Sequence, residues 1–272
     1  MQRRSVGYIL VFAAIVSLVC GVLVSAAAVT LKDRQQANAE IERKINVLAA
    51  AGLVAPGEDV EPSEVAARFA TVRAEVIDLA SGEVAPDVDA AAFDQQKAKA
   101  DPVLGRSAPA NNAGIKRVPK QALVYRVLGV NGETRMVVLP IEGLGLWSTL
   151  YGFVALDADG DTVRGLTYYR HGETPGLGGE VDNPRWKALW PGRRAFDAGG
   201  EPAIQVIKGS AGPPAEDPHR VDGLSGATIT SRGVTNMLRF WLGENGFGPF
   251  LERLRRESGA APAAPAGERN AA

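Results

Sequence analysis

Cysteine occurs once in the 272 residues and histidine twice. A single thiol excludes an intramolecular disulfide framework, a multi-cysteine zinc site and a cysteine-ligated iron-sulfur cluster held by this chain alone. His171 and His219 leave little for a metal cluster, and no residue is assigned as a metal ligand. An excess of charge is also lacking: 30 Lys+Arg stand against 31 Asp+Glu, for a net charge of -1. Without a basic field to hold a polyanion, nucleic acid is excluded as a partner. Hydrophobic content of 46% and charged content of 22% are those of an ordinary globular chain, which rules out wholesale disorder and a polytopic membrane protein. The length allows one or two domains at roughly 100–200 residues each.

Charged side chains are missing altogether from Ser5 through Leu31, 27 positions in a row. Within that run Tyr8–Thr30 spans about 35 Å as a helix, enough to cross a hydrocarbon core of about 30 Å. The run reads as a transmembrane helix at 8–30, longer than the apolar core of a usual signal peptide. A cleavable signal is the rival reading, since Arg3 and Arg4 precede the run and Ala26-Ala27-Ala28 resembles a small-residue cleavage site. Cys20 lies inside the run and reads as lipid-facing rather than lipidated. Arg3 and Arg4 on one side and Lys32, Arg34, Arg43 and Lys44 on the other leave the topology open on charge alone.

Beyond the run, Ile41, Ile45 and Leu48 follow helical spacing in a polar background and predict an amphipathic helix that leaves the membrane helix directly and closes at Gly52. Pro56-Gly57 breaks the chain, and Glu61-Pro62-Ser63-Glu64 opens a second short helix. Ala74 to Leu79, followed by Ser81-Gly82, reads as a strand and a tight reversal. From Gln121 the pattern turns to β. Residues 122–128 and 134–139 flank Asn131-Gly132, a strong hairpin signal. Residues 149–156 and 162–169 flank an acidic turn, Asp157 to Asp161, which departs from a calcium loop because Thr162 and Tyr168 stand where that loop needs Gly and Glu. A strand is expected at 203–208. Val234, Met237, Leu238, Trp241 and Leu242 place one apolar stripe on a helix over about 231–242, ended by Gly243. Residues 258–272 have almost nothing to bury and read as a disordered tail. Consecutive hairpins followed by an amphipathic helix predict an α+β domain with a mainly antiparallel sheet and flanking helices packed to one side.

Two stretches set small residues beside reactive ones. In His171–Glu180 (HGETPGLGGE) four glycines occur without Ser, Asn or Asp. A dinucleotide fingerprint fails there because its third glycine would fall at Val181, and a P-loop fails because no Gly-Lys-Ser/Thr occurs. The segment is either a plain surface loop or one whose backbone comes close to something flat. The second stretch, Asp222–Ser231 (DGLSGATITS), immediately precedes the amphipathic helix. Thr230 or Ser231 can cap that helix. Gly223-x-Ser225 begins a hydrolase elbow, but the elbow ends in Ala227 and both histidines precede the serine. A third reading is covalent attachment by an outside enzyme: Gly226 and Ala227 clear the approach to a threonine hydroxyl, Asp222 can assist a metal-bound donor, and the helix N-terminus favours a phosphate.

D-x-x-S/T-G-A-T/S is the flavinylation motif of the FMN-binding domain family, and Asp222, Ser225, Gly226, Ala227 and Thr228 match every specified position. In that family the last Thr or Ser carries FMN through a phosphoester added by a flavin transferase with FAD as donor, so the resemblance implies Thr228 as the attachment residue. From the membrane helix to about Leu254 the chain is similar to the C subunit of the bacterial Na+-translocating NADH:quinone reductases. That resemblance is carried by Gly145–Phe153 (GLWSTLYGF), Gly172–Glu180 (GETPGLGGE), Asn183–Trp186 (NPRW), the motif, Phe240–Gly243 (FWLG) and Gly248–Leu251 (GPFL). Together these favour it over the G subunit of the related Rnf electron-transport complex, which shares E-T-P-G-L-G and the motif.

The resemblance implies an electron-transfer component that relays electrons from a membrane iron-sulfur centre toward the FMN of the B subunit, within a complex with A, B, D, E and F subunits that reduces ubiquinone and exports Na+. NADH is oxidised on another subunit. It further implies a bacterial inner-membrane location, with residues 1–7 cytoplasmic, the helix at 8–30, a helical and mixed part at 31–120 and an FMN-binding core at 121–257 in the periplasm. A phosphoester fixes only the phosphate end, so other groups must hold the isoalloxazine. The loop residues Glu173, Thr174, Gly176, Leu177 and Gly178, with Ser225, Gly226 and Ala227, are assigned to FMN. Trp147 is a candidate for apolar contact on a glycine-rich turn, where a Trp also serves as core filler. An anchored scaffold component without a redox role is the remaining alternative.

Overall fold

The computed structural model describes residues 6–55 and 58–259. Arg3, Arg4, the break at Pro56-Gly57 and all of the tail after Gly259 lie outside the described residues. The chain divides into two compact units, Met1–Lys44 and Ile45–Ala272. The first consists, among the described residues, of one helix that continues into the second, α1 (Val6–Ala50). Its most apolar window has a mean hydropathy of 2.8 and none of it is buried. Side chains such as Ile9, Phe12, Ile15, Leu18 and Leu23 all point outward. This exposed stretch, apolar all round, is long and apolar enough to cross a membrane. Charges begin at Lys32 and the helix surface becomes polar, with Glu40 and Lys44 paired across one turn at 2.7 Å.

In the second unit, α1 ends against Gly52, whose φ of +70° suits the residue after a helix. There follow α2 (Pro62–Phe69), β1 (Val72–Asp78), α3 (Gln95–Ala100), β2 (Gly105–Ser107), β3 (Arg117–Pro119), β4 (Gln121–Leu128), β5 (Thr134–Leu144), β6 (Thr149–Asp157), β7 (Val163–Arg170), a 3-10 turn (Gly178–Asp182), α4 (Pro184–Lys187), β8 (Gln205–Val206), β9 (Arg220–Val221), α5 (Thr228–Leu242) and α6 (Gly248–Glu257). Five strands form one sheet in the order β1-β4-β5-β6-β7, antiparallel throughout. The fold class is therefore α+β, an antiparallel sheet with helices. Strand β1, from the segment before residue 121, is hydrogen-bonded into the sheet beside β4.

The expectation of helices on one side is corrected. Ala122, Val124, Val137, Leu139, Ile141, Leu150, Val154 and Leu156 face a core that includes α5 and α6 residues. Their neighbours Leu123, Tyr125, Val127, Val138, Phe153 and Ala155 face a second core containing Val47, Ala50 and Ala51 at the end of α1 and Phe69 of α2. Both faces are covered, which is why ALVY, VVL and FVAL run apolar without alternation. Gly165 of β7 is where α1 comes closest, since a Cβ there would overlap the Ala50 carbonyl.

Two further expectations shift. The strand at 203–208 contracts to β8, two residues paired in parallel with β9, because the Ala203 and Ile204 N–H groups both turn to the Ala195 carbonyl, at 2.9 and 3.2 Å. Helix α5 starts at Thr228 rather than near 231, with Ala227 as an N-cap that offers no side-chain bond. Thr230 and Ser231 do not cap it: Thr230 donates to Glu173 at 2.7 Å and Ser231 accepts the Leu224 N–H at 3.1 Å. The stripe on α5 is buried as expected, and Trp241 donates its indole N–H to the Glu142 carbonyl at 2.7 Å. Burial of Trp241, Met237 and Leu238 stabilises the helix by about 1.5–3 kcal/mol per side chain. Gly233 lets the helix meet β5 at the Leu144 carbonyl, where a Cβ would not fit.

Candidate functional site

An antiparallel sheet brings the turn after β5 next to the end of β7, and α5 begins at the same place. The turn from Leu144 to Ser148 is closed by the Gly145 N–H on the Ser148 carbonyl at 2.8 Å. The Leu144 N–H goes to the Ala113 carbonyl at 2.7 Å, and those of Leu146, Trp147 and Ser148 point to Glu173, which is 5% exposed. Oε1 accepts from Leu146, Trp147 and Ser148 at 3.1, 2.9 and 3.3 Å, and Oε2 accepts from Leu146 at 3.2 Å and from the Thr230 hydroxyl at 2.7 Å. Burial pushes the carboxyl up, but the Thr230 hydroxyl and the N–H groups of Trp147, Leu146 and Ser148 outweigh it and hold it below the ordinary carboxylate range. The loop is thus no plain surface loop. Glu173 and Gly178 are buried, while Thr174, Gly176 and Leu177 face outward, Gly176 with a φ of +76°. The Thr174 carbonyl folds the loop back by accepting from Leu177 at 3.1 Å and Gly179 at 2.9 Å.

The second stretch reaches the same point from the other side. Asp222 accepts the Ala211 N–H at 2.8 Å and the Gly223 N–H donates to Gly209 at 2.8 Å, so the motif is pinned to the loop after β8. Gly226 has a φ of +70°, and a Cβ there would fall 2.8 Å from Leu177 Cδ2. These constraints bury Ala227 and leave Ser225, Gly226 and Thr228 exposed. Thr228, the first residue of α5, has a side chain without a hydrogen-bond partner among the described residues. Ser225 makes no hydrogen bond to either histidine among the described residues: His171 pairs with Asp182 at 2.7 Å and His219 contacts the Arg194 carbonyl at 3.0 Å. Among the described residues no base is hydrogen-bonded to Ser225 to make it a nucleophile, and the hydrolase reading falls.

Around Thr228 lies an apolar surface. Trp147 is 70% exposed, Ile229 53%, Leu177 44% and Leu146 43%, so Trp147 fills no core. Leu146 and Ile229 escaped the sequence reading, although Ile229 carries a signal: it is an apolar residue off the buried stripe of α5. On the motif's other flank is a cavity of about 620 Å³ lined by Lys208, Asp222, Ser225, Thr228, Arg232 and Arg239 among others. Three cations against one acid make it suited to a negative group, and Arg232 stands one helical turn beyond Thr228.

A model of the FMN-binding domain family matches residues 145–243. The chain is 51% identical over 257 residues to the C subunit of the Na+-translocating NADH-quinone reductase of Yersinia pestis, covering 93% of this chain and 95% of that protein. It is 49% identical to the same subunit of Pseudomonas aeruginosa, over 94% and 98% of the two chains. The crystal structure of Shewanella oneidensis NqrC superposes with a TM-score of 0.72 at 37% identity, covering 80% of this chain and 99% of that one. The chain belongs to the C-subunit family of the Na+-translocating NADH-quinone reductases. Members of this family are subunits of an oxidoreductase complex, and this one carries an FMN-binding domain. The matched span runs from Gly145, in the turn held by Glu173, to Gly243, which closes α5. The residues present fit FMN: an accessible hydroxyl on a helix N-terminus for the phosphate, small residues beside it, and exposed Trp147 and Leu177 for a flat ring.

Proposed function

We propose that this chain is the electron-transfer component of its complex, holding FMN through a phosphoester on Thr228 and standing between a membrane iron-sulfur centre and the FMN of the B subunit, in a complex with A, B, D, E and F subunits that reduces ubiquinone and exports Na+. The observation that carries this reading is the exposed Thr228 hydroxyl, free of partners among the described residues, beside the apolar surface of Leu146, Trp147, Leu177 and Ile229. When bound, FMN supplies the capacity to accept and release electrons. The chain's own residues hold it. In the transfer from FAD, the Thr228 oxygen bonds to the FMN-side phosphorus, the bridging P–O bond of the pyrophosphate breaks, AMP leaves, and the flavin transferase takes up the hydroxyl proton. The α5 N-terminus then faces the phosphodiester charge, an interaction of about 0.3–1 kcal/mol. Lys208 and Arg232 add further attraction from the adjoining cavity. Leu177 and Trp147 would hold the ring by apolar contact, with Thr174 as a donor at the loop edge.

Full-length protein made together with a flavin transferase, then denatured and weighed, tests the attachment. The wild type gains the mass of an FMN phosphoester, and Thr228→Ala gains none; a flavin adduct on Thr228→Ala overturns the assignment. Leu177→Ala keeps the adduct and changes the flavin absorbance. The helix at 8–30 is proposed as an uncleaved anchor in the inner membrane, with a cytoplasmic N-terminus and a periplasmic flavin domain. N-terminal sequencing of the mature chain should begin near Met1, and protease added to spheroplasts should remove the flavin domain. A start near Val29, or a protected domain, contradicts that topology.

A further inference from the structure

We infer that Glu173 is a positioning residue for the flavin: its carboxylate sets where Trp147 stands relative to the Thr228 hydroxyl. The inference rests on Thr228 as the attachment point. A phosphoester fixes one end of FMN and leaves the ring free to turn about the ribityl chain. The ring's orientation must then come from a segment other than the motif. Trp147 belongs to such a segment, the turn after β5, and its indole is 70% exposed with no ring or hydrogen-bond partner among the described residues. Its direction is inherited from its backbone. That backbone has one bond of its own, Gly145 to Ser148, and the N–H groups of Leu146, Trp147 and Ser148 all end on Glu173.

The same carboxylate reaches α5. Its Oε2 accepts the Thr230 hydroxyl at 2.7 Å, two residues and about 3 Å of helical rise beyond Thr228. One buried group therefore ties the turn that carries the indole to the helix turn that carries the acceptor hydroxyl. Space for it is built in. A Cβ on Gly145 would lie 2.6 Å from Oε1, and a Cβ on Gly178 would lie 2.6 Å from both Oε2 and Thr230 Oγ1. An ionised carboxylate accepts at both oxygens, which four donors require. Glutamine has one acceptor oxygen, and its amide N–H would face another donor.

The test uses full-length protein in detergent, made with a flavin transferase, as Glu173→Gln, Thr230→Val, Thr230→Ser and Trp147→Phe. Glu173→Gln should keep the FMN mass adduct and the far-ultraviolet circular dichroism of the wild type. Its flavin emission should rise toward that of Trp147→Phe as the indole quenches less, and its visible flavin dichroism should change. Thr230→Val should move both signals in the same direction, and Thr230→Ser, which keeps the hydroxyl, should restore them. Loss of stability alone would leave these spectra unchanged in folded protein. Glu173→Gln or Thr230→Val with a full adduct and wild-type spectra overturns the inference. Should Glu173→Gln not fold, the Thr230 pair decides it. Absence of an adduct on the wild type refutes the attachment reading instead, and Trp147 emission, isolated by difference from Trp147→Phe, then reads whether Glu173 fixes the turn.

Discussion

The two glycine-rich segments that meet at the start of α5 are built by opposite means. The loop at 171–180 turns its reactive group inward: Glu173 is buried, and Gly178 makes room for its oxygen. The motif at 222–228 turns its reactive groups outward, held by the backbone through Gly223, Gly226 and the Asp222 carboxylate, with Thr228 exposed. Thr228 and Thr230 show the contrast within one helical turn, the first free and the second bonded to Glu173. Rigidity and reactivity are thus assigned to different segments, and substitutions in them should have different costs.

Glu173→Ala should have the largest effect on folding. It strands the buried Thr230 hydroxyl and the N–H groups of the turn, at a cost of about 3 kcal/mol, read by urea unfolding of the flavin-free protein. The loss should depend on pH. Because the folded carboxyl lies below its usual range, its contribution is complete above the unfolded value of about 4.3 and is lost as pH falls through the folded value. Stability curves of wild type and Glu173→Gln should therefore converge as the pH drops below about 4. Parallel curves would show that the carboxylate's charge is not what binds the turn. Gly178→Ala comes next, at about 2 kcal/mol, because its methyl group collides with Oε2 and Thr230 Oγ1. At the other end, Thr228→Ala should change stability by less than about 0.5 kcal/mol, although, on the proposed attachment, it should remove the covalent flavin entirely. A large stability loss in Thr228→Ala would erase the contrast between the two segments.

Much of the fold was legible because it repeats local signals. The two hairpins after Gln121, the stripe on α5 and its stop at Gly243 follow from spacing and turn chemistry, and they hold in the structure. The second covered face was visible in principle. Runs such as ALVY and FVAL do not alternate, but their partners, Val47 and Ala50 of α1, lie far away in sequence. Helix α6 opens with Gly248-Pro249 and is short, so periodicity alone did not announce it. At the site, Asp222 to Thr228 is a contiguous string and carries its own signature. Glu173 has none of comparable kind: its partners Trp147 and Thr230 lie 26 residues before it and 57 after it. The hydroxyls of Thr230 and Ser231 look like helix caps in sequence, and only the packed loops show them to be engaged elsewhere.

The exposed surface around Thr228 also bears on the order of assembly. None of the core clusters includes the Thr228 side chain, and Ala227 before it and Thr230 two residues after it are buried without it. On the proposed attachment, the domain can therefore complete its fold before any flavin arrives. During that interval Trp147, Leu177 and Ile229 stand in water, a sticky patch on an otherwise soluble face. On the proposed attachment, that patch is covered only once the flavin is in place.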